Sequence, residues 1–529
     1  MEVPIQDKVT RVDRGAPKRP LSAKIIRNSL SGSLRLAVWA PIPFIMTPFI
    51  LHKIGVQGYG TWAVFLAING LTSLADLGLV GTVSKFVAEY HAQRDFVALG
   101  RLLNSGLALF LLLIFVIGTA FWAASPLLAG WLFHGSSVQR SELVSLFRCF
   151  LAVIATNILT LLFSSVTTGM QRLDLTNIMS SANVLSSAIF GAVLLGAGWG
   201  LRGLVYGYVG SGILTVIAYL IIVRKLLPQV RLNPLGLDRA EARKMFGFSL
   251  RLYFTQAAMA VHNQVEKVFL ASMVGVAAVG WYDIASDLAL KVRGGIGLIL
   301  GPVLPAASEL HALGDERRVK ELFYRAHKYL ALAGVPIVCF LTFISGRFIE
   351  LWLGSGFKMV ALPLSVLLVV SFFNLMTGPG FLILAGLGDL RPGVQSAIVG
   401  IVLNVILSLA LIYKYGFEGA VLGTSASLLV AAAYFQYLFF RQTGYALKRL
   451  IVESYLKPVI CACFALATAT AIHPSGSASW MGLVVMGSEF GAVYSCVILL
   501  SRFFDEYDWN KLEVFWPAVG RARKFKWVG

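Results

Sequence analysis

The chain has 529 residues, 57% of them hydrophobic and only 13% charged, a composition that excludes an ordinary soluble globular protein. Its formal net charge of +19 raises nucleic acid as a partner by sign alone, but the basic residues lie between long apolar stretches rather than in one patch, so no nucleic-acid role is expected. Those stretches run about 16 to 27 residues, which suits helices crossing a bilayer and does not suit the shorter strands of a barrel.

The first 28 residues form a polar, basic tail, and no small-residue cleavage site follows the first apolar stretch, so no removable signal peptide is expected. Fourteen spans are then predicted at 29 to 51, 61 to 84, 102 to 125, 143 to 166, 177 to 198, 203 to 223, 247 to 272, 278 to 304, 326 to 345, 361 to 384, 393 to 413, 419 to 440, 458 to 473 and 480 to 501. The fold class is therefore an all-α polytopic membrane protein with about fourteen transmembrane helices. Residues 458 to 473 are the shortest span and stop at Pro474.

Charge sets the orientation. The N-terminal tail, the even-numbered loops and the C-terminal tail hold 33 Lys and Arg, with Lys328 at the start of the ninth span counted with its loop, whereas the odd-numbered loops hold six. That bias is the positive-inside pattern and predicts both termini in the cytoplasm, with anionic membrane lipids as the natural partner of the basic excess. All five cysteines, Cys149, Cys339, Cys461, Cys463 and Cys496, fall in apolar spans. They predict small core residues rather than disulfides or a metal site.

The chain repeats itself. Ser33-Leu34-Arg35-Leu36 returns as Ser249-Leu250-Arg251-Leu252, 216 positions later. Gly55-Val56 with Gly60 matches Gly275-Val276 with Gly280, and Gly81, Val83, Glu89, His91, Ala92 and Asp95 match Gly301, Val303, Glu309, His311, Ala312 and Asp315, at an offset of 220. Gly200, Gly203, Gly207 and Ser211 match Gly416, Gly419, Gly423 and Ser427 with the offset back at 216. Six spans per copy is an even number, so the copies enter the membrane from the same side as parallel repeats. The predicted organisation is a tail (1 to 28), a first lobe (29 to 223), a cytoplasmic linker (224 to 246), a second lobe (247 to 440), two extra spans (441 to 501) and a C-terminal tail (502 to 529). Residues 89 to 101 and 309 to 328 read as amphipathic helices on the inner surface.

Intramembrane charges concentrate on the first two spans of each lobe: Arg35, then Asp76, then Arg251, Glu266 and Lys267, then Asp283, Asp287, Lys291 and Arg293. Arg148 and Glu489 stand apart from that pattern. A charge near the centre of a membrane helix costs roughly 2.5 to 3.5 kcal/mol, so such groups turn toward a bundle interior or a wet cavity. Spans 1, 2, 7 and 8 are thus expected to line a cavity between the lobes. Arg35, Arg251, Lys291 and Arg293 are the candidate anion-binding residues, because guanidinium and ammonium groups hold phosphate oxygens. Asp76, Glu266, Asp283 and Asp287 are the candidate coupling-ion or gate residues. Mutual pairing competes with these roles: Asp287 and Lys291 are four apart, and Glu266 is expected to reach span 8.

No nucleotide-binding loop ending in Gly-Lys-Ser/Thr, no His-Glu-x-x-His and no Gly-x-Ser-x-Gly occurs, so no cofactor and no hydrolase chemistry is indicated. A membrane polymerase of lipid-linked sugars is the enzyme alternative, but the odd-numbered loops are all short. Ile54-Gly55-Val56-Gln57-Gly58-Tyr59-Gly60-Thr61-Trp62, Leu74-Ala75-Asp76-Leu77-Gly78-Leu79 and Gly169-Met170-Gln171-Arg172 resemble the Wzx-type oligosaccharide flippases of the multidrug/oligosaccharidyl-lipid/polysaccharide (MOP) exporter superfamily. The resemblance covers residues 29 to 440. It implies two six-helix lobes opening alternately to either side of a bacterial cytoplasmic membrane, and an undecaprenyl-pyrophosphate-linked oligosaccharide as substrate for O-antigen, capsule or exopolysaccharide synthesis. It also implies a groove for the lipid tail beside spans 13 and 14, and a polysaccharide polymerase and co-polymerase as partners. The alternative within the superfamily is an extruder of organic cations.

Overall fold

The computed structural model describes residues 32, 35, 38, 39, 41–71, 78–133, 138–234, 236–472 and 479–515; for residues 248, 250–263 and 511–515 it describes the backbone. Every regular element among them is helical. In chain order these are α1 (Pro41–Leu71), α2 (Leu79–Gln93), α3 (Phe96–Leu132), α4 (Arg140–Gly169), α5 (Leu173–Gly196), α6 (Gly200–Leu226), α7 (Arg239–Met273) and α8 (Val276–Gly297). They continue with α9 (Val303–Ala312), α10 (Glu316–Leu353), α11 (Ala361–Leu375), α12 (Gly378–Gly386), α13 (Arg391–Thr443), α14 (Leu447–Leu450), α15 (Lys457–Ile472), α16 (Trp480–Leu500) and α17 (Glu506–Phe515). A π-helical turn, Ile451–Leu456, joins α14 to α15.

Ten helical runs among the described residues are long and apolar enough to cross a membrane, and the chain is a multi-pass membrane protein. The number falls below the expected fourteen for local reasons. Spans 11 and 12 share the 53-residue α13, which bends at Gly416. Spans 1 and 2 lie partly outside the described residues, and span 7 falls outside the ten because α7 is rich in polar and charged residues. Large apolar side chains on the outward faces, Leu112, Phe115 and Leu127 of α3 among them, are exposed, which is the pattern of a surface solvated by lipid rather than water.

The repeat seen in the sequence is also a repeat of backbone geometry. Gly55 and Gly275 both take positive φ (68° and 122°) where one segment ends and the next begins, and Gly200 and Gly416 do so at 55° and 57°. A side chain is strained in that region, which is why glycine occupies these sites in both copies. Arg94 and Gly314, also equivalent, close α2 and the Val303–Ala312 helix in the left-handed conformation, at φ 59° and 68°. The next residue caps the following helix in each copy: Asp95 accepts from the Ala98 amide at 2.8 Å, and Asp315 from the Arg318 amide at 3.0 Å. Such caps satisfy amides that the first helical turn leaves unpaired.

These turns refine one expectation. Residues 89 to 101 and 309 to 328 are helical as expected, but each contains a corner at which one helix ends and a longer one begins, so neither stands as a separate helix. The cysteines are also less uniform than expected, since Cys461 is buried but Cys463 and Cys496 are exposed on the apolar surface, and all five are free thiols. Proline is tolerated in the first turn of a helix, and Pro458 stands second in α15. The α15–α16 pair packs mainly against α10 of the second copy, outside the duplicated core.

Candidate functional site

The two repeats meet along α1, α7 and α8, the helices that carry most of the intramembrane charges. Their tightest approach is between equivalent glycines. A Cβ on Gly60 would stand 1.7 Å from the Val276 carbonyl oxygen, and one on Gly280 would stand 3.2 Å from the Val56 carbonyl oxygen. Backbone therefore touches backbone at the Gly55–Gly275 end of the bundle.

One or two turns deeper, charge reinforces that contact. Tyr59 donates its hydroxyl to Asp283 Oδ2 at 2.8 Å, and Lys267 donates to Asp283 Oδ1 at 2.5 Å. The Lys267 and Asp283 side chains are 12% and 10% exposed, so the pair is desolvated, and its worth depends on every lone pair and proton being satisfied. Tyr59 comes from the first repeat and the ion pair from the second, so separating the lobes at this end strips the carboxylate of a hydrogen bond. A second strap lies nearby. Trp352 Nε1 donates to the Phe44 carbonyl at 2.8 Å, and the two rings stack at 5.1 Å.

Glu266 behaves differently from its neighbour. It is 1% exposed, and its hydrogen bonds go to α13 rather than to a charged residue of span 8, the pairing expected there. Its Oε1 accepts from Asn404 Nδ2 at 2.5 Å and from Thr424 Oγ1 at 3.2 Å, both on α13. Tyr282 and Thr424 share a further bond at 2.8 Å. Asn404 Oδ1 and Ser408 Oγ are buried beside this carboxylate's partner and have no hydrogen-bond partner of their own. A buried carboxylate with unpaired oxygens around its partner has the chemistry to take up a proton or a hard cation, which prefers oxygen ligands. Among the described residues no group of three His, Cys, Asp or Glu gathers as a metal cluster.

The remaining charges separate into paired and unpaired. Lys291 pairs with Asp287 one turn below it. Arg293 is half-buried and has no carboxylate partner among the described residues. Arg35 is likewise half-buried, with its guanidinium carbon 4.8 Å from the centre of the Trp39 ring, a cation–π contact that leaves the positive charge uncancelled. It too has no carboxylate partner among the described residues. Arg251 lies on α7, but its side chain is outside the described residues, as is Asp76 altogether. Residues that sequence reasoning passed over are Tyr59, Asn404, Ser408, Thr424 and Trp352. Asn404 carried a usable signal, an amide near the middle of a span that holds no formal charge.

With this geometry in hand, comparison with known proteins gives a consistent result. The profile of the family described as "Polysaccharide biosynthesis protein" matches residues 25–311. A protein of Shigella flexneri named "Putative O-antigen transporter" is 22% identical over 428 residues, covering 79% of this chain and 98% of that relative. The structure titled as the lipid II flippase MurJ in an inward closed conformation superposes with a TM-score of 0.72 at 17% identity, covering 90% of this chain and 99% of that one. An inward-facing multidrug resistance MATE family transporter of the MOP superfamily superposes with a TM-score of 0.58 at 17% identity, covering 77% and 98%.

Proposed function

Because the chain belongs to the polysaccharide biosynthesis protein family and has the fold of MOP-superfamily transporters, we propose that it is a flippase and not an enzyme. Its cargo is a lipid-linked oligosaccharide, carried on undecaprenyl pyrophosphate and moved across the bacterial cytoplasmic membrane for O-antigen, capsule or exopolysaccharide synthesis. Both termini lie in the cytoplasm, and the Gly55–Gly275 end faces out. The two lobes alternate: the outward end is closed by Gly60 against Val276 and by Tyr59 with Asp283, and it opens when those contacts part.

The observation that carries the anionic cargo is the imbalance of charge. Lys267 and Lys291 are neutralised by Asp283 and Asp287, whereas Arg35 and Arg293, on different lobes, have no carboxylate partner among the described residues. An unbalanced cation in a membrane interior is costly unless an anion meets it, and a pyrophosphate offers several oxygens to guanidinium groups. Arg251, the repeat partner of Arg35, completes the set. Glu266 is the coupling-ion group and Asp283 the gate group; Asp76, outside the described residues, is a further candidate for either role.

The test is flipping in reconstituted vesicles, with a pyrophosphate-linked sugar lipid in one arm and an organic cation in the other. Transport of the lipid, lost at least tenfold in Arg35→Ala with Arg251→Ala, supports the reading. Transport of the cation alone, or normal lipid flipping by the double variant, overturns it.

A further inference from the structure

The first turns of α10, the junction of α14 with α15 and the segment after α16 enclose a cavity of about 680 Å³. Its place along the chain fixes its depth. The ninth and thirteenth spans start there and the fourteenth ends there, so it stands at the level of lipid headgroups.

Six cations line it, Arg317, Lys320, Arg325, Lys328, Arg449 and Lys457, against the carboxylates of Glu321, Glu453 and Asp505. Those acids are already engaged. Glu321 and Asp505 hold Arg325 at 2.7 and 3.2 Å, Glu453 holds Arg449 at 2.9 Å, and Lys328 is met by Asp505 at 3.4 Å and by buried Asp508 at 2.5 Å. Among the described residues, Arg317, Lys320 and Lys457 have no carboxylate partner; Lys457 donates only to the Arg502 carbonyl, at 3.2 Å. The paired cations thus build the frame, and three more are left over to face into it.

The surroundings add a second requirement. Ile451, Val452, Leu456, Val459 and Ile460, on the helical run that forms one wall, are all exposed, so apolar surface continues from the rim of a positively charged cavity. A soluble anion satisfies only the charge. An anionic lipid satisfies both, with its phosphate among the cations and its chains along the apolar face.

We propose that this cavity is a binding site for the anionic phosphate headgroup of a membrane lipid, in the leaflet that adjoins this end of the bundle. The site is made by the extra helices and the C-terminal segment together with α10, and it lies apart from the charges between the lobes. Two lipids share the required chemistry, an anionic phospholipid and a polyprenyl pyrophosphate, and the experiment separates them.

The full-length protein in detergent is incubated with phosphatidylcholine, phosphatidylglycerol or undecaprenyl pyrophosphate, and lipid retained per protein is read by native mass spectrometry. Either anionic lipid, or both, should be retained at least fivefold over phosphatidylcholine, and retention should fall at least fivefold in R317A/K320A/K457A, which spares the paired frame. Lys457→Gln alone, a milder change, should lower retention about twofold and serves if the triple variant does not fold. Equal retention of phosphatidylcholine by the wild type, or unchanged retention in the variants, overturns the proposal. No transport is measured, so failure here is distinct from failure of the flippase reading.

Discussion

The two lobes have the same backbone devices and different chemistry. Each has its pair of positive-φ glycines, its left-handed corner and its capping aspartate, at equivalent positions. Each also has a serine, Ser211 or Ser427, that accepts from an asparagine amide at 3.3 Å. In the first lobe that asparagine, Asn183, goes on to the Thr215 hydroxyl at 2.8 Å, whereas in the second Asn404 goes on to the Glu266 carboxylate at 2.5 Å. Ala63 and Ala67 stand where the second lobe has Asp283 and Asp287. Duplication therefore set the hinge and packing geometry twice, while ionisable groups were concentrated in one copy. The second lobe is where an ion or a gate charge can act on the motion, and the first lobe gives it a fixed surface to close against.

The strongest way to break that comparison is at the lobe contact. Asp283→Ala leaves Lys267 buried without its partner, a change of the kind that costs about 3 to 5 kcal/mol. It should lower thermal stability in detergent sharply. Replacing both members, K267M with D283L, should restore stability, because an apolar pair of similar volume is often as stable as a buried ion pair. Transport should not return with it, since the latch to Tyr59 is gone. Restored transport would show that the ion pair is structural only.

A smaller effect, and one that compares the lobes directly, comes from the glycines. Gly60→Ala forces a methyl to 1.7 Å from a carbonyl oxygen, and Gly280→Ala brings one only to 3.2 Å. Overpacking costs about 1 to 3 kcal/mol, so Gly60→Ala should shift the protein away from the outward-closed state and Gly280→Ala should shift it little. Cysteine labelling from the outer side, at a position deep between the lobes, reads the difference. Equal labelling in the two variants would mean that the glycine pair does not hold the closure.

Next in size is a contrast between the polar cores. Glu266→Gln keeps the shape of the carboxylate and removes its charge, so the fold should survive while flipping falls about tenfold, equivalent to about 1.4 kcal/mol, and loses its dependence on the driving cation. Asn183→Ala in the first lobe removes ordinary hydrogen bonds worth about 1 kcal/mol and should leave that dependence intact. An unchanged ion response in Glu266→Gln would remove the coupling role from this lobe.

Much of this was legible in the chain itself, and the divide follows from the physics. Periodic apolar stretches, repeated glycines and clustered intramembrane charges are properties of local sequence, and they point to the helical class, the duplication and the helices that meet between the lobes. Pairing is not local. Asp287 with Lys291 was visible because four residues make one turn, but Glu266 finds Asn404 across 138 positions, and Tyr59 finds Asp283 across 224. An aspartate or glutamate in an apolar span signals that a partner exists, and only the packing says which one.

The smallest effect lies where the lobes differ for another reason, the appended helices. Asp505 is a carboxylate beside Lys328 and Arg325 that also accepts from the Asp508 amide at 2.9 Å. Partial burial pushes its carboxyl up, but the Asp508 amide and the two cations outweigh that and hold it below the usual carboxylate range. A lowered folded pKa contributes stability that is complete above the ordinary aspartate value of about 3.9 and is lost as pH falls through the folded value. Because the side chain is half exposed, at 49%, solvent screening keeps the contribution small. Hydrogen exchange in α17 should therefore stay flat from pH 8 to 5, after correction for intrinsic rates, and rise only below about pH 4. Asp505→Asn should show faster exchange at pH 7 and less further change on acidification. A release of α17 between pH 5 and 8 would place its anchor on some other group, and would leave the cavity beside it framed by a segment that this carboxylate does not hold.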